Sequence, residues 1–244
     1  MRAILTYHSI DPSGSPISID AASFARHVEF LASSRVRVLP LEELLASPDA
    51  QDAVALTFDD GFVNFEQLAW PALRERGLAA TLFVPTRRVG GDNRWEGRDE
   101  PGIPTLPLMD WDALGRLHEQ GLSIAAHSRT HAWLTRVDAA QLSDEVEGAR
   151  EDLRERLGVR STVFCYPYGD LDARVERAVA SCYRWACSTE FAPLGPSDAP
   201  HRLPRLDAYY FRGSRGLESF GSPAFRLRLA LRRRARALKR ALGR

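Results

Sequence analysis

The sequence predicts an α/β fold of parallel βαβ units, closed as a barrel or spread as a doubly wound sheet, in one domain with a short basic tail. Three observations carry this. Apolar, β-rich runs alternate with helical patterns along most of the chain. Its 244 residues, 44% hydrophobic, suffice for one sizeable core, and no linker or internal repeat interrupts them. The clusters of polar, chemistry-bearing residues follow directly after expected strands, where α/β folds gather their sites.

Taken in order, Ala3–Tyr7 reads as a first strand and Ser23–Leu31 as a helix, with Phe24, Val28 and Leu31 on one face. Val36–Leu39 is a short strand and Leu41–Leu45 a short helix. Ala53–Phe58 is a mostly apolar strand. Phe65–Arg76 is helical up to Gly77, with a kink or restart at Pro71. After the strand Thr81–Val84, residues 86–107 are rich in Gly, Pro and charge. A loop that long in a compact domain is usually functional. Trp111–Glu119 is a helix capped by Asp110, and Ser123–Ala126 a strand. Ala139–Leu157 is a long helix ended by Gly158. Thr162–Cys165, Leu171–Ser181 and Trp185–Ser188 continue as strand, helix and strand, and Arg202–Asp207 reads as the last strand.

No run of 18 apolar residues is present, so no membrane-spanning helix is expected. The start turns polar at Thr6-Tyr7-His8 without a cleavage site, which reads as a strand and not a signal peptide. The expected location is the cytoplasm or the inner face of a membrane. Cys165, Cys182 and Cys187 form no CxxC pair, which excludes a cysteine zinc site or a disulfide framework and leaves buried apolar residues. The net charge of +1 hides an asymmetry. Residues 226–244 hold nine Arg/Lys and no acid, leaving 24 basic against 32 acidic residues over 1–225. The tail therefore divides from a catalytic unit at 225. At about 100° per residue, Leu227, Leu231, Leu238 and Leu242 fall within about 60° of one another, the pattern of an interfacial helix on anionic lipid. Arg234 interrupts that face. No aromatic residue is interleaved, so nucleic acid is not the expected partner, while a solvated tail or a partner protein stays open as an alternative to lipid.

Three motifs carry chemistry. In Leu56-Thr57-Phe58-Asp59-Asp60-Gly61-Phe62, two carboxylates follow a strand. They reach one site only if the chain turns there, which Gly61 permits, and two adjacent anions need a cation or a proton. The competing reading is a solvated Asp-Asp-Gly turn. In His127-Ser128-Arg129-Thr130-His131, two imidazoles at i and i+4 share a face and suit Zn²⁺. Exposed or capping histidines are the alternative. Together the motifs give two His and one Asp as ligands with open positions, the composition of a catalytic zinc site, and a second Asp able to act as base on water. In Phe164-Cys165-Tyr166-Pro167-Tyr168-Gly169-Asp170, Pro-Tyr-Gly fixes a turn that can aim a backbone N–H at an oxyanion. An ordinary aromatic loop would look the same.

The three motifs in this order resemble the polysaccharide deacetylase family, carbohydrate esterase family four with the NodB-homology domain, over roughly residues 1–210. The resemblance implies a distorted (β/α)7-type barrel. It implies a hydrolase that removes N-acetyl groups from amino sugars in a glycan or glycolipid. It makes Asp59 the catalytic base and Asp60, His127 and His131 the ligands of Zn²⁺, or of Co²⁺ or Ni²⁺, with the Tyr168 N–H at the oxyanion. The sequence departs from the family pattern twice. Cys165 stands where the motif usually has an Arg that orients the base, and the late Leu-x-x-His that supplies the general acid is missing. His27 and His118 lie within expected helices, where a surface role is the plainer reading. His8 stands at the correct end of the first strand, and Leu-Thr-Tyr-His-Ser resembles the opening of a permuted subgroup whose acid is N-terminal, so His8 is assigned as acid. Arg205, in a Leu-Pro-Arg that the same subgroup often carries, is the candidate to pair with Asp59, against a surface ion pair with Asp207. Trp95, Trp133 and Tyr166 are candidate sugar-binding aromatics. Three other classes stay open: a hydrolase of small cyclic amides on the same fold, a non-catalytic carbohydrate-binding protein, and a metallophosphoesterase, which would want a second ligand set.

Overall fold

In the computed structural model the described residues are 1–33, 35–48, 51–213 and 216–241, with side chains through 234. In chain order the elements are β1 (Arg2–Tyr7), β2 (Ser9–Ile10), β3 (Ser18–Ile19), α1 (Ala21–Ala32), β4 (Arg37–Val38), α2 (Leu41–Ala46), β5 (Ala53–Phe58), α3 (Trp70–Glu75), β6 (Ala80–Val84) and α4 (Trp111–Glu119). They continue with β7 (Ser123–Ala126), α5 (Ala139–Leu157), β8 (Val163–Cys165), α6 (Ala173–Cys182), β9 (Trp185–Cys187), β10 (Leu206–Asp207) and α7 (Pro223–Ala241).

The main sheet is wholly parallel, in the order β10-β1-β5-β6-β7-β8-β9, with β4 also on β5. It curls into a distorted (β/α) barrel. The segment 203–207 spans the open side: Leu203 donates to Ala186 O on β9 at 2.9 Å, and Leu206 and Asp207 register with Leu5 and Thr6 of β1. The expected strand over Arg202–Asp207 is thus reduced to two residues and a bridge, because Pro204 has no N–H to offer a ladder.

Strand side chains alternate between two cores. Ile4, Ala53, Ala55, Phe83, Ala125, Cys165 and Cys187 pack inside the curl. Leu5, Tyr7, Val54, Leu56, Phe58, Leu82 and Ile124 face the helices. All six residues of β5 are buried, which accounts for its mostly apolar run, and its one polar member, Thr57, donates to Leu5 O at 2.9 Å. Both cysteines are buried and unpaired.

Two local departures have clear causes. Phe65–Ala69 is a π-turn closed by Trp70 N donating to Phe65 O, and α3 restarts with Pro71 in its first turn, where a missing N–H is tolerated. His27 on α1 is buried, 1% exposed, against the surface role expected for it. It ties β1 to the later chain: Nε2–H donates to Phe211 O at 2.9 Å and Nδ1 accepts from the Tyr7 hydroxyl at 3.1 Å. Asp110 and Gly158 cap α4 and α5 as the sequence indicates.

The tail helix begins at Pro223, three residues before the basic run. It rests on the body through Phe225 and Leu229, so Leu227 and Leu231 of the expected apolar face point outward. The side chain of Leu238, and all of Leu242, lie outside the described residues. Among the described residues no helix is long and apolar enough to cross a membrane.

Candidate active site

The strand ends of β1, β5, β7 and β8, with the 203–207 segment and the 86–107 loop, enclose a cavity of about 440 Å³. His8, Asp59, Asp60, Trp95, His127, His131, Tyr168 and Arg205 all line it.

Among the described residues, five non-glycine residues have positive φ, and four belong to these motifs: Asp60 (75°), Ser128 (60°), His131 (64°) and Tyr168 (59°). A left-handed L-residue costs roughly 1–2 kcal/mol, so the surrounding contacts must hold each one. Asp59 still bonds as a strand residue, its N–H donating to Tyr7 O at 2.9 Å. Gly61 N–H then donates to Asp59 O at 3.0 Å, which makes Asp60 the centre of a γ-turn. The reversal that brings both carboxylates to one site therefore falls on Asp60 itself, and Gly61, at φ 79°, continues it. At Gly169 a Cβ would come within 2.0 Å of Thr189 Oγ1, so the Pro-Tyr-Gly turn has no room for a larger residue.

Asp60, His127 and His131 form one buried cluster. Asp60 Oδ1 has no hydrogen-bond partner and lies 3.5 Å from His127 Nε2 and 3.4 Å from His131 Nε2. With metal–ligand bonds of about 2.0–2.1 Å, adjacent vertices of a tetrahedron stand about 3.3–3.4 Å apart. Both distances from Asp60 Oδ1 are close to that spacing, and the three ligand atoms all lie within 4.8 Å of one another. His127 Nδ1–H donates to Cys165 O at 2.7 Å, which turns the Nε2 lone pair into the site. Burial pushes the His131 imidazole down to about 3, so it presents a neutral ligand. Burial works against the His127 proton too, but Cys165 and the neighbouring carboxylates hold that imidazole well above its ordinary value. The residues fit a divalent metal.

The loop from His127 to His131 is a turn, with no helix in it. Its anchors come from α5 and were not visible in the sequence. The N–H groups of Arg129 and Thr130 both donate to Glu145 Oε2 at 2.9 Å, and the Arg129 guanidinium bonds Asp152 at 2.7 and 2.9 Å. His131 N–H donates to Ser128 Oγ at 3.0 Å.

Asp59 is buried beside this cluster. Arg205 grips it bidentately, Nη1 and Nη2 each 2.8 Å from one carboxylate oxygen. Burial alone would raise the Asp59 carboxyl, but the Arg205 guanidinium and His8 hold it well below the usual carboxylate range. The Cys165 thiol lies 3.7 Å from Oδ2. Cys165 is short, and Arg205 enters from the closing segment to reach the same carboxylate. His8 Nε2 is 3.7 Å from Asp59 Oδ2 and 23% exposed to the cavity.

The aromatic candidates separate. Trp95, from the long loop, stacks on His131 at 4.1 Å and lines the cavity. Trp133 lies outside the main cavity, in an adjoining pocket with Trp95 and Tyr168, where Tyr168 stacks parallel to it at 4.0 Å and the Arg136 guanidinium lies over the ring at 4.4 Å. Tyr166 lines the cavity from its base, with only 1% of the residue exposed and its hydroxyl donating to His201 O at 3.0 Å.

The sequence profile of the polysaccharide deacetylases matches residues 46–183, more than half of the chain. The chain belongs to the polysaccharide deacetylase family. YxkH of Bacillus subtilis, itself assigned by name to the polysaccharide deacetylases, is 24% identical over 83% of this chain and 70% of its own length. Chitin deacetylase 1 of Cryptococcus neoformans is 27% identical over 57% of this chain, but only 25% of that larger protein is covered. Among solved structures, the Streptococcus pyogenes deacetylase PplD, in complex with acetate, superposes with a TM-score of 0.72 at 19% identity, over 84% of this chain and 91% of PplD. IcaB of Ammonifex degensii gives 0.70 at 23% identity over 84% and 91%. The fold is thus that of polysaccharide deacetylases, and the family profile spans Asp59, Asp60, His127 and His131 while His8 and Arg205 lie outside it.

Proposed function

We propose that this polysaccharide deacetylase is a metal-dependent hydrolase that removes N-acetyl groups from an acetylated amino sugar in a glycan or glycolipid. One observation carries the reading. A buried carboxylate held ionised by Arg205 shares a cavity with three ligand-type side chains, Asp60, His127 and His131, whose donor atoms lie within 4.8 Å of one another. The names of relatives, a chitin deacetylase and a deacetylase in complex with acetate, favour the same chemistry.

Asp60, His127 and His131 would hold the cation, with Zn²⁺ the best match to two imidazoles and a carboxylate, and Co²⁺ or Ni²⁺ as substitutes. When bound, the metal supplies Lewis acidity that polarises the acetamide carbonyl and lowers the pKa of water. Asp59 accepts the proton of the attacking water, and Arg205 fixes its orientation and keeps it ionised at neutral pH. The Tyr168 N–H, presented by its left-handed turn, donates to the developing oxyanion. His8 donates the proton that lets the sugar amine depart. Trp95 forms the apolar wall against which the sugar ring rests.

The test is acetate release from a panel of N-acetylglucosamine oligomers and small amides by metal-loaded protein, with Asp59→Asn beside it. Metal-dependent release from the sugars, lost in Asp59→Asn, is the expected result. Release from small amides alone would move the substrate off sugars. A tightly bound metal with no release from any amide would overturn the reaction assigned here.

A further inference from the structure

Among the described residues three large hydrophobic side chains are exposed, and two of them lie one turn apart on α7: Leu227, 60% exposed, and Leu231, 56%. The opposite face holds the helix to the body. Phe225 and Leu229 are buried there, and Phe225 stacks on Phe211 at 5.3 Å. Arg232 lies over the Tyr210 ring at 4.3 Å and Arg233 pairs with Glu190 at 3.7 Å. These contacts fix the rotation of the helix, so the two leucines cannot turn inward. Exposed arginines at 226 and 234 accompany them, within a run of nine Arg/Lys and no acid.

Few surfaces match a leucine pair set among arginines. A second copy of α7 would bring the same charge against itself, and the body offers one other exposed large hydrophobic among the described residues, Leu68. Nucleic acid would meet no aromatic side chain on this face to stack with its bases. An anionic bilayer satisfies both halves: apolar side chains enter the headgroup–acyl boundary while guanidinium groups stay with the phosphates.

We propose that α7 docks this protein on an anionic lipid bilayer, with Leu227 and Leu231 inserted and the neighbouring arginines against lipid phosphates. The docked helix adjoins the cavity wall. Tyr210, under Arg232, meets Phe191 edge-on at 5.2 Å, and Phe191 lines the cavity. Docking therefore sets one side of the cavity beside the lipid surface.

Flotation of the full chain with vesicles of phosphatidylcholine alone, and of phosphatidylcholine mixed with phosphatidylglycerol, tests this. Binding to the mixed vesicles only is expected. Leu227→Gln/Leu231→Gln weakens it by roughly tenfold or more with an unchanged thermal midpoint, since both side chains are exposed. Arg226→Gln/Arg234→Gln weakens it by roughly fivefold per charge. No vesicle binding overturns the proposal, as does binding that the leucine variant leaves intact, which would be electrostatic contact without insertion. Tighter binding to a DNA or RNA duplex than to the mixed vesicles would assign the face to nucleic acid. Lipid-free dimerisation abolished by the leucine variant would assign it to a second copy.

Discussion

The two halves of the cavity are built differently. Asp60, His127 and His131 come from the middle of the chain, at the ends of β5 and β7, and local turns set them: a γ-turn at Asp60 and a left-handed pair at Ser128 and His131. His8 and Arg205 come from near the two ends of the chain. They meet Asp59 only because β1 lies between β5 and β10 and the 203–207 segment closes the curl. The metal site proposed at Asp60, His127 and His131 needs ligand atoms fixed to within a fraction of an ångström, and short turns do that. The base proposed at Asp59 needs burial and a paired counter-charge, and sheet closure supplies those.

If the halves are separable, each can be disabled alone. Chelation, or Asp60→Asn, should abolish acetate release, roughly thousandfold or more, by removing several kcal/mol of charge stabilisation. His8→Gln should lower turnover by roughly 10²–10⁴-fold while metal affinity, read by titration calorimetry, stays as it was. A parallel loss of metal in His8→Gln would show that the halves are one unit.

Arg205→Met sharpens the same division. With the guanidinium gone, burial governs Asp59 and its pKa rises above the ordinary carboxylate value. The acid limb of kcat/KM should move to higher pH. In the native protein the depressed Asp59 contributes stability that is present above the unfolded carboxylate value and lost as pH falls through the folded one. The variant reverses this: a raised folded value makes it relatively more stable as pH falls. At neutral pH an unpaired buried carboxylate costs roughly 3–5 kcal/mol, measurable by denaturant unfolding. An unshifted limb in a folded variant would show that the pair does not tune Asp59.

The smallest of these effects concerns the loop between the imidazoles. Glu145→Gln keeps the shape but weakens the acceptor for the Arg129 and Thr130 N–H groups, so metal affinity should fall by roughly 10–100-fold with catalysis recovered at high metal. Unchanged affinity would make the α5 anchor purely structural.

Much of this was legible in the sequence. Strand and helix order, the caps at Asp110 and Gly158, and the placement of three motifs at strand ends follow from periodicity and local chemistry, which act over a few residues. What escaped acts at a distance. Glu145 reaches the metal loop from α5, and nothing near residue 145 marks it. Composition does not separate Trp95, which lines the main cavity, from Trp133, which stacks with Tyr168 in the adjoining pocket. His27 has a helical, surface-like neighbourhood in sequence, yet Tyr7 and the Phe211 carbonyl meet it in the interior. The turn at Asp60 was placed one residue late, because glycine is the expected left-handed residue and here an aspartate takes that conformation first.

The separation of Asp59 from its guanidinium partner, 146 residues, also has a consequence in time. A ribosome adding roughly 5–20 residues per second delivers Arg205 about 7–30 seconds after Asp59. Over that interval the β5–β8 strands and their turns can pair and His8 is already present, but the carboxylate lacks its bidentate guanidinium partner, so its burial stays costly. The nascent chain is thereby held open at this point, and the reactive pocket is completed last, when the closing segment arrives.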